Sequence, residues 1–336
     1  MRELAALLVS FGIILIGAEA FTNGIEWLGQ RLKLGAGAVG SILAAVGTAL
    51  PETKTMVSLI AILGLKKGTE GAEIGIGAIL GAPFMLATLA FFITGLAALL
   101  FRRNNRPLRL EAKVVRRDLK FFLIVYSMAI FASFLSNQEL KNDMAWVLVL
   151  AYGVYILLIL RDCINGCKHE NLAPLYVAGQ TQNPTLVKIL GQIIIALIAI
   201  VVGAQVLVNA VQPIAIAIGV PVFVLSLIIT PIATELPEKF NSVLWISRGK
   251  DTLAMGNLTG AMVFQSSVIT AIGIVLTPWK LDTLALSSAL LALGAAMIPY
   301  ISLHRKGVIY PTTLLIGGAF YLLFILTIYR SLIRET

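Results

Sequence analysis

Charged residues are scarce in this sequence. Only 13% of the 336 residues are Asp, Glu, Lys or Arg, whereas 58% are apolar, and the mean hydropathy is +0.93. A soluble domain of this size needs more polar surface, so the composition indicates a protein that crosses a membrane several times. The formal net charge of +9 is explained by membrane topology, and we expect no nucleic-acid partner.

Cysteine and histidine are nearly absent. Cys163 and Cys167 form a C-x3-C-x-H cluster with His169 in one polar loop, which has too few ligands for a metal site and is interpreted as a loop with reduced thiols. His304 is also expected in a loop. Because no helical histidine pair or Ser–Lys dyad is evident, the sequence does not favour an intramembrane enzyme, and we expect no cofactor.

Ten apolar segments are long enough to cross a bilayer as helices, which takes about 20 residues each. They cover roughly 5–25, 36–64, 72–101, 120–136, 144–160, 186–210, 218–247, 254–277, 282–302 and 308–329. Five crossings per half is an odd number, so the second half enters the membrane in the opposite sense. We therefore predict an all-α integral membrane protein of two inverted five-helix repeats, 1–160 and 188–336, joined by a cytoplasmic loop at 161–187.

Basic residues in the loops predict the orientation. With the N-terminus outside, inside loops hold 17 of the 26 Lys and Arg residues and outside positions hold 7, while Lys54 and Lys239 lie within segments. The positive-inside bias then places both termini outside a cell membrane and the basic loop at 102–120 in the cytoplasm. That loop is also a candidate to bind anionic lipid or a partner.

Two short motifs place polar residues in the middle of apolar segments. The first is Gly47-Thr48-Ala49-Leu50-Pro51-Glu52, and the second is Ala233-Thr234-Glu235-Leu236-Pro237-Glu238, 186 residues later. The same offset relates Gly17 to Gly203. Since proline removes a backbone donor, both helices are expected to kink or break and to free carbonyl oxygens. A buried Pro-Glu used in both halves indicates an ion site built by an internal repeat.

The polar side chains of these motifs share one helix face. Thr48 and Glu52 are four residues apart, as are Thr234 and Glu238, and Glu235 precedes Glu238 by three. Carboxylate, hydroxyl and carbonyl oxygens suit Ca²⁺, Na⁺ or H⁺ and not soft transition metals. The sequence therefore predicts a cation site in which Glu52 and Glu238 are the metal-binding carboxylates.

Two lysines leave a structural alternative open. Lys239 follows Glu235 by four residues, the favourable spacing for an ion pair, and Lys54 follows Glu52 by two. In this interpretation the glutamates pair with the lysines as scaffolding. Because a central charge costs about 2.5–3.5 kcal/mol in a bilayer, five such groups in corresponding positions favour ion handling.

The following helices continue the repeat with an offset of 179, since residues 77–82 correspond to 256–261. In the second copy Asn257, Ala261 and Gln265 form an i,i+4 stripe. Asn257 and Gln265 are therefore candidate ligands. The corresponding stripe at positions 78, 82 and 86 carries no ligand.

With these motifs the sequence resembles the sodium/calcium exchanger family, the cation/Ca²⁺ antiporters, in its prokaryotic form with two alpha repeats. The resemblance covers about 17–90 and 203–270 and the ten-span layout. The family's signature reads G-T-S-L-P-E, followed on the next helix by G-N-x-x-G-S-N. The positions that fit are Gly47, Thr48, Leu50, Pro51, Glu52, Thr234, Leu236, Pro237, Glu238, Gly77, Gly81, Gly256, Asn257 and Gly260. The positions that depart are Ala49, Ala233, Glu235, Ala82, Pro83, Ala261, Met262, Leu86 and Gln265.

The resemblance implies Ca²⁺ export driven by Na⁺ or H⁺. It also implies alternating access, in which two helices slide against an eight-helix core while ions bind between the paired glutamates. Losing Ser and Asn ligands while gaining Glu235, Lys54 and Lys239 should reduce the number of Na⁺ sites, and a lysine ammonium is a candidate to occupy one. We therefore expect an exchanger with proton coupling or altered stoichiometry.

Two other classes of function stay open. One is exchange of a different cation with proton coupling, and the other is a degenerate membrane scaffold or sensor without transport. The replaced ligands favour the scaffold, whereas retention of Glu52 and Glu238 argues against it. The expected partners are inorganic cations and the lipid bilayer.

Overall fold

A computed structural model of the chain describes residues 2–49, 69–102, 105–164, 172–179, 183–217 and 235–335. Within these ranges the regular secondary structure is entirely helical. Seven of the described helices are long and apolar enough to cross a membrane, and a shorter apolar helix covers Ala36–Ala49. The chain is therefore an all-helical, multi-pass membrane protein.

The described helices are labelled in chain order. They are α1 (Arg2–Arg31), α2 (Ala36–Ala49), α3 (Thr69–Met85, continued by Phe91–Arg102), α4 (Ala112–Ala132), α5 (Gln138–Ile164), α6 (Leu186–Ala217), α7 (Leu236–Ser247), α8 (Asp251–Phe264, continued by Thr270–Leu276), α9 (Thr283–Lys306) and α10 (Pro311–Glu335). Three of them contain a π-helical stretch: Val39–Ala44 in α2, Leu86–Ala90 in α3 and Gln265–Ile269 in α8.

Helix α8 is the centre of the bundle. Every residue from Asp251 to Phe264 is buried. Gly256 and Gly260 allow α2 to approach, because a Cβ atom at Gly256 would lie 3.1 Å from the Ser41 hydroxyl and one at Gly260 would overlap the Ser41 backbone. Small residues are the usual means of close helix contact in membranes, where the hydrophobic effect does not drive helices together.

Helices α1 and α6 pack against each other along their length. A Cβ atom at Gly17 would lie 2.8 Å from Ile200, and one at Gly203 would lie 2.8 Å from Ile14. Large apolar side chains on the outer faces, such as Ile195 on α6, are exposed. Exposed side chains of this kind suit a surface that contacts hydrocarbon.

Polar contacts join the helix termini at one end of the bundle, which we call the basic end. Asp251, the first residue of α8, accepts from the guanidinium of Arg102 and, at 2.5 Å, from the backbone N–H of Arg109. Glu26 accepts from Trp245 Nε1 at 2.9 Å and from Lys250 Nζ at 2.5 Å. These bonds hold the termini of α1, α3, α7 and α8 together where the chain meets water.

Carbonyl oxygens are the acceptors at the opposite end. Lys141 Nζ donates to the carbonyl of Pro278 at 2.6 Å, and Trp279 Nε1 donates to the carbonyl of Ala129 at 2.9 Å. The C-termini of α4 and α8 therefore meet the N-terminus of α5 at this end.

Helix α4 begins earlier than the hydropathy pattern indicated. The basic loop was expected to reach residue 120, but α4 begins at Ala112, so Lys113, Arg116, Arg117 and Lys120 occupy its first turns. The expectation was wrong because long basic side chains can extend to water from a helix whose other face is buried. A hydropathy average over these residues therefore does not detect the first turns of α4.

Two residues expected in loops belong to helices. Cys163 lies in the last turn of α5 and His304 in the last turn of α9. Both helices continue past their apolar stretch into polar sequence, which hydropathy alone does not detect. Cys167 and His169 lie outside the described residues.

We predict that Gly260→Ala lowers stability by about 2 kcal/mol, because an added methyl at a backbone contact forces α2 and α8 apart. Thermal denaturation of the purified protein in detergent measures the effect. Gly153→Ala on α5 is the matched control, since a Cβ atom there meets no described atom within 4 Å. Equal apparent melting temperatures for the two variants would contradict this account of the α2–α8 contact.

Candidate functional site

Six of the nine residues that the sequence assigned to the site, including its charge partners, lie within the described ranges. They are Thr48, Glu235, Glu238, Lys239, Asn257 and Gln265. The other three, Glu52, Lys54 and Thr234, lie outside the described residues, as does the expected break at Pro51.

Helix α7 begins at the second Pro-Glu motif. Glu235 is the residue that precedes the helix, with φ −91° and ψ 7°, and Pro237 lies in the first turn. Proline is favoured there because the first N–H groups of a helix have no partner within the helix. The start of α7 therefore places Glu238 in the first turn, where the helix dipole favours negative charge.

Glu238 is fully buried. Among the described residues, neither oxygen of its carboxylate has a hydrogen-bond partner of normal geometry. The Thr48 hydroxyl and the Glu235 carboxyl group are close enough to influence its electrostatics. A buried carboxylate needs a proton, a cation or hydrogen-bond donors to offset its lost hydration. This side chain therefore has the capacity to bind a cation or to carry a proton.

Asn257 joins the two motif helices to α8. Its Nδ2 donates to the backbone carbonyl of Glu238 at 3.2 Å and to Ser242 Oγ at 3.3 Å. Its Oδ1 lies 3.5 Å from the Thr48 hydroxyl, which donates to the Ala44 carbonyl at 3.0 Å. The structure thus brings together Thr48 of α2, Glu238 of α7 and Asn257 of α8.

Glu235 and Lys239 form a buried ion pair. Lys239 Nζ lies 2.8 Å from Glu235 Oε2 and 3.4 Å from the Glu235 carbonyl oxygen, and both side chains are nearly inaccessible. The structural alternative, in which a lysine pairs with a glutamate, therefore describes Glu235. It does not describe Glu238, which forms no ion pair with a described residue.

Gln265 lies farther along α8. It is buried and follows Asn257 by eight residues, which is about 12 Å along a helix axis. It begins the π-helical stretch Gln265–Ile269, and its backbone carbonyl accepts from Thr270 Oγ1 at 3.0 Å. Single π-helical turns are frequent at functional sites, and this one marks the far edge of the candidate site.

Asn241 is a candidate ligand that the sequence analysis missed. It is fully buried, and within the described ranges neither its Oδ1 nor its Nδ2 has a hydrogen-bond partner. It follows Glu238 by three residues on α7 and therefore shares its face. The i,i+3 spacing is visible in the sequence, but the family signature ends at Glu238 and does not include Asn241.

Asp118 is a second buried acid that the sequence analysis missed. Its Oδ2 accepts from Ser41 Oγ at 2.5 Å and from Thr259 Oγ1 at 2.9 Å. It therefore ties α4 to α2 and α8, the helices that carry Thr48 and Asn257. The hydropathy pattern does not identify Asp118, because its basic neighbours Arg116, Arg117 and Lys120 make this stretch resemble a loop.

No group of three or more His, Cys, Asp or Glu side chains that could hold a metal ion forms within the described part of the chain. Glu235 and Glu238 are the two site carboxylates described there. The third carboxylate of the predicted site, Glu52, lies outside this part.

The fold defines a multi-pass helical membrane protein. More specifically, the chain belongs to the sodium/calcium exchanger protein family, whose sequence model matches residues 3–161 and 188–333. The family resemblance seen in the motifs is thereby confirmed. It is a family of transporters and not a class of enzymes.

Similar proteins agree with this assignment. The chain is 28% identical over 291 residues to the inner membrane protein YrbG of Escherichia coli, covering 84% of this chain and 82% of that protein. It is 24% identical over 283 residues to the putative antiporter CaxA of Alkalimonas amylolytica, covering 84% and 83%. The solved structure of the sodium-calcium exchanger NCX_Mj matches with a TM-score of 0.73 and 20% identity over 97% of this chain and 98% of that chain, which shows the fold.

We predict that Lys239→Met alone destabilises the protein by about 3 kcal/mol, because it leaves the buried Glu235 carboxylate without its partner. The double variant Glu235→Gln, Lys239→Met should recover most of that loss, since no buried charge is then unpaired. Thermal denaturation in detergent, arranged as a double-mutant cycle, measures the coupling. Strictly additive effects would contradict the ion pair.

Proposed function

We propose that this protein is a secondary active cation antiporter that exchanges Ca²⁺ for Na⁺ or H⁺ by alternating access. The observation that carries the proposal is the Glu238 carboxylate, which is fully buried and has no hydrogen-bond partner among the described residues. Burying such an acid inside a membrane bundle costs free energy, and buried acids of this kind mark ion or proton pathways in membrane proteins. The family assignment supports the same conclusion.

The proposed cation-binding residues extend across both halves. Glu52 and Glu238 are the principal carboxylates, and Thr48, Asn257 and Asn241 supply neutral oxygens beside Glu238. The Thr48 hydroxyl already donates its proton to Ala44, so its oxygen lone pairs are available to a cation. Thr234 and Gln265 complete the proposed set. The oxygen-only composition suits Ca²⁺, Na⁺ and protons.

Lys239 has a distinct proposed role. Its ammonium lies against Glu235 inside the bundle, where a monovalent cation could otherwise bind. We infer that Lys239 substitutes for one transported Na⁺ and so lowers the number of Na⁺ ions per cycle. Lys54 is proposed as the charge partner in the first half. This arrangement favours proton coupling or a reduced Na⁺ stoichiometry.

An inverted repeat is the proposed basis of alternating access, with ten crossings, halves at 1–160 and 188–336, and a linker at 161–187. The Gly17–Ile200 and Gly203–Ile14 contacts support it. Gly203 corresponds to Gly17 and Ile200 corresponds to Ile14 at the offset of 186, so the two contacts are equivalent, as a two-fold relation requires. The π-helical stretches Leu86–Ala90 and Gln265–Ile269 also correspond at the offset of 179. The family match in two pieces separated at 161–188 supports the linker.

The proposed location is the cell membrane, with both termini outside and the basic end in the cytoplasm. The basic end joins the termini of α1, α3, α7 and α8, and the inside bias of Lys and Arg assigns it to the cytoplasm. The proposed substrates are inorganic cations, and no cofactor takes part.

We predict that Ca²⁺ stabilises the purified protein and that Glu238→Gln removes this effect. Ligand binding at one hundred times the dissociation constant raises stability by about 2.7 kcal/mol, which thermal denaturation with and without Ca²⁺ detects. Glu139→Gln is the matched control, because Glu139 is an exposed acid at the start of α5. Loss of Ca²⁺ stabilisation in both variants would argue against a site at Glu238.

We also predict that proteoliposomes take up radioactive Ca²⁺ when a Na⁺ or pH gradient is imposed. Glu238→Gln should reduce uptake to the level of protein-free liposomes, whereas Glu139→Gln should leave it unchanged. Flux that ignores both gradients would reject the coupling. If no Ca²⁺ flux is seen and Glu238→Gln leaves the stability unchanged, the result would favour a scaffold or sensor. If another cation is transported instead, that cation and not Ca²⁺ is the substrate.

A further inference from the structure

A buried pair of threonine and glutamate lies on α1, toward the basic end. Thr22 and Glu26 are four residues apart, which is also the spacing of the threonine and the glutamate in both repeat motifs. The two side chains therefore share one face of α1. Both residues are buried, and the proposed antiport makes no use of them.

The oxygens of this pair have room for a further ligand. The Thr22 hydroxyl donates its proton to the Glu19 carbonyl at 3.0 Å, so its lone pairs are available to a cation. Glu26 Oε1 accepts from Trp245 Nε1 at 2.9 Å, and Oε2 accepts from Lys250 Nζ at 2.5 Å. A carboxylate has about four acceptor positions, so these two bonds leave capacity for a metal ion.

Lys250 is the tethered cation beside this pair. It directly precedes α8, and its side chain is 22% exposed, whereas the side chain of Glu26 is 7% exposed. Because an ion pair that reaches water adds little stability, the ammonium can leave the carboxylate at small cost. A cation that arrives from water would then replace one positive charge with another beside Glu26.

A polar stripe on α7 runs from the candidate cation site toward Glu26. Glu238, Asn241 and Trp245 follow one another at positions i, i+3 and i+7 of α7, which places them on one face of the helix. The stripe ends where the Trp245 indole donates to Glu26. Asn241 is fully buried, and neither atom of its amide has a hydrogen-bond partner among the described residues. A buried amide in this condition calls for a water molecule or an ion beside it.

We propose that Glu26 and Thr22 form a second cation-binding site, which takes a divalent cation when the Lys250 ammonium turns away to water. Carboxylate and hydroxyl oxygens are ligands that suit Ca²⁺. An ion pair that served only to join α1 to α7 would need neither a threonine one turn away nor an unbonded amide on the connecting stripe. The site is built on α1, so it stands independently of the antiport proposed at Glu238.

Terbium luminescence tests this site in the full-length protein in detergent. Tb³⁺ binds oxygen ligands as Ca²⁺ does, and a nearby indole sensitises its emission. Trp245 supplies that indole, since its Nε1 lies 2.9 Å from Glu26 Oε1. Every titration uses a Glu238→Gln background, which removes the principal described carboxylate of the candidate cation site. The test variant adds Glu26→Gln. The matched control adds Glu19→Gln, because Glu19 also lies on α1 and pairs with a basic residue that follows α7, Arg248.

We expect Tb³⁺ to give indole-sensitised emission that excess Ca²⁺ abolishes. Glu26→Gln should weaken Tb³⁺ binding about tenfold or more, because it removes the carboxylate ligand of the site. Glu19→Gln should weaken it by less than about twofold, because the charge of a partly exposed acid is screened. A third variant, Lys250→Gln, should strengthen binding about fivefold, since it removes the ammonium that competes for Glu26.

Equal weakening by Glu26→Gln and Glu19→Gln, or binding that Glu26→Gln leaves unchanged, would overturn the site. Binding that Lys250→Gln leaves unchanged or weakens would overturn the competition by the ammonium, and this variant also decides the matter if Glu26→Gln does not fold. The readout needs no transport, so a failure to exchange Ca²⁺ would count against the proposed antiport alone.

Discussion

The burial of the Glu238 carboxyl group inside the bundle is the constraint on which this structure depends. A carboxylate inside a bilayer bundle has lost its hydration, and only a proton, a cation or hydrogen-bond donors can replace it. The first turn of α7 offers the partial positive charge of its free N–H groups. This helix terminus supplies part of the missing solvation. In the proposed mechanism an exchangeable ion supplies the rest, which is the property that a transporter needs.

The surrounding helices hold this position in a fixed geometry. Asn257 bonds the backbone of Glu238 and lies beside Thr48, so one amide on α8 sets the distance between the two motif helices. Asp118 fixes the same pair of helices from α4 through Ser41 and Thr259. Gly256 and Gly260 bring the backbones close enough for these short side chains to reach. The polar network therefore depends on close packing of the helices, and larger residues at these glycines would separate its members.

The sequence was most informative where the membrane limits the alternatives. Apolar length and a repeated Pro-Glu were sufficient to predict an all-helical membrane protein and its family, because few structures satisfy the backbone in lipid. The start of α4 and Asp118 escaped prediction for one reason. A charged residue on a helix can point to water or to the core, and hydropathy averages give both the same value. The partner of Glu235 was foreseeable from the i,i+4 spacing of Lys239, whereas Asn241 needed the burial seen in the structure.

Glu235 and Glu238 show how one short motif can hold two acids with different properties. Glu235 has a tethered cation, because Lys239 follows it by one helical turn and reaches it at 2.8 Å. That neutralising charge cannot leave the protein. Glu238 has no such partner among the described residues, and in the proposed mechanism its neutralising charge is a transported ion. A protein that replaces a mobile ion with a lysine keeps the electrostatic balance of the bundle while it gives up one exchangeable site. The number of ions moved per cycle can therefore change while the fold stays the same.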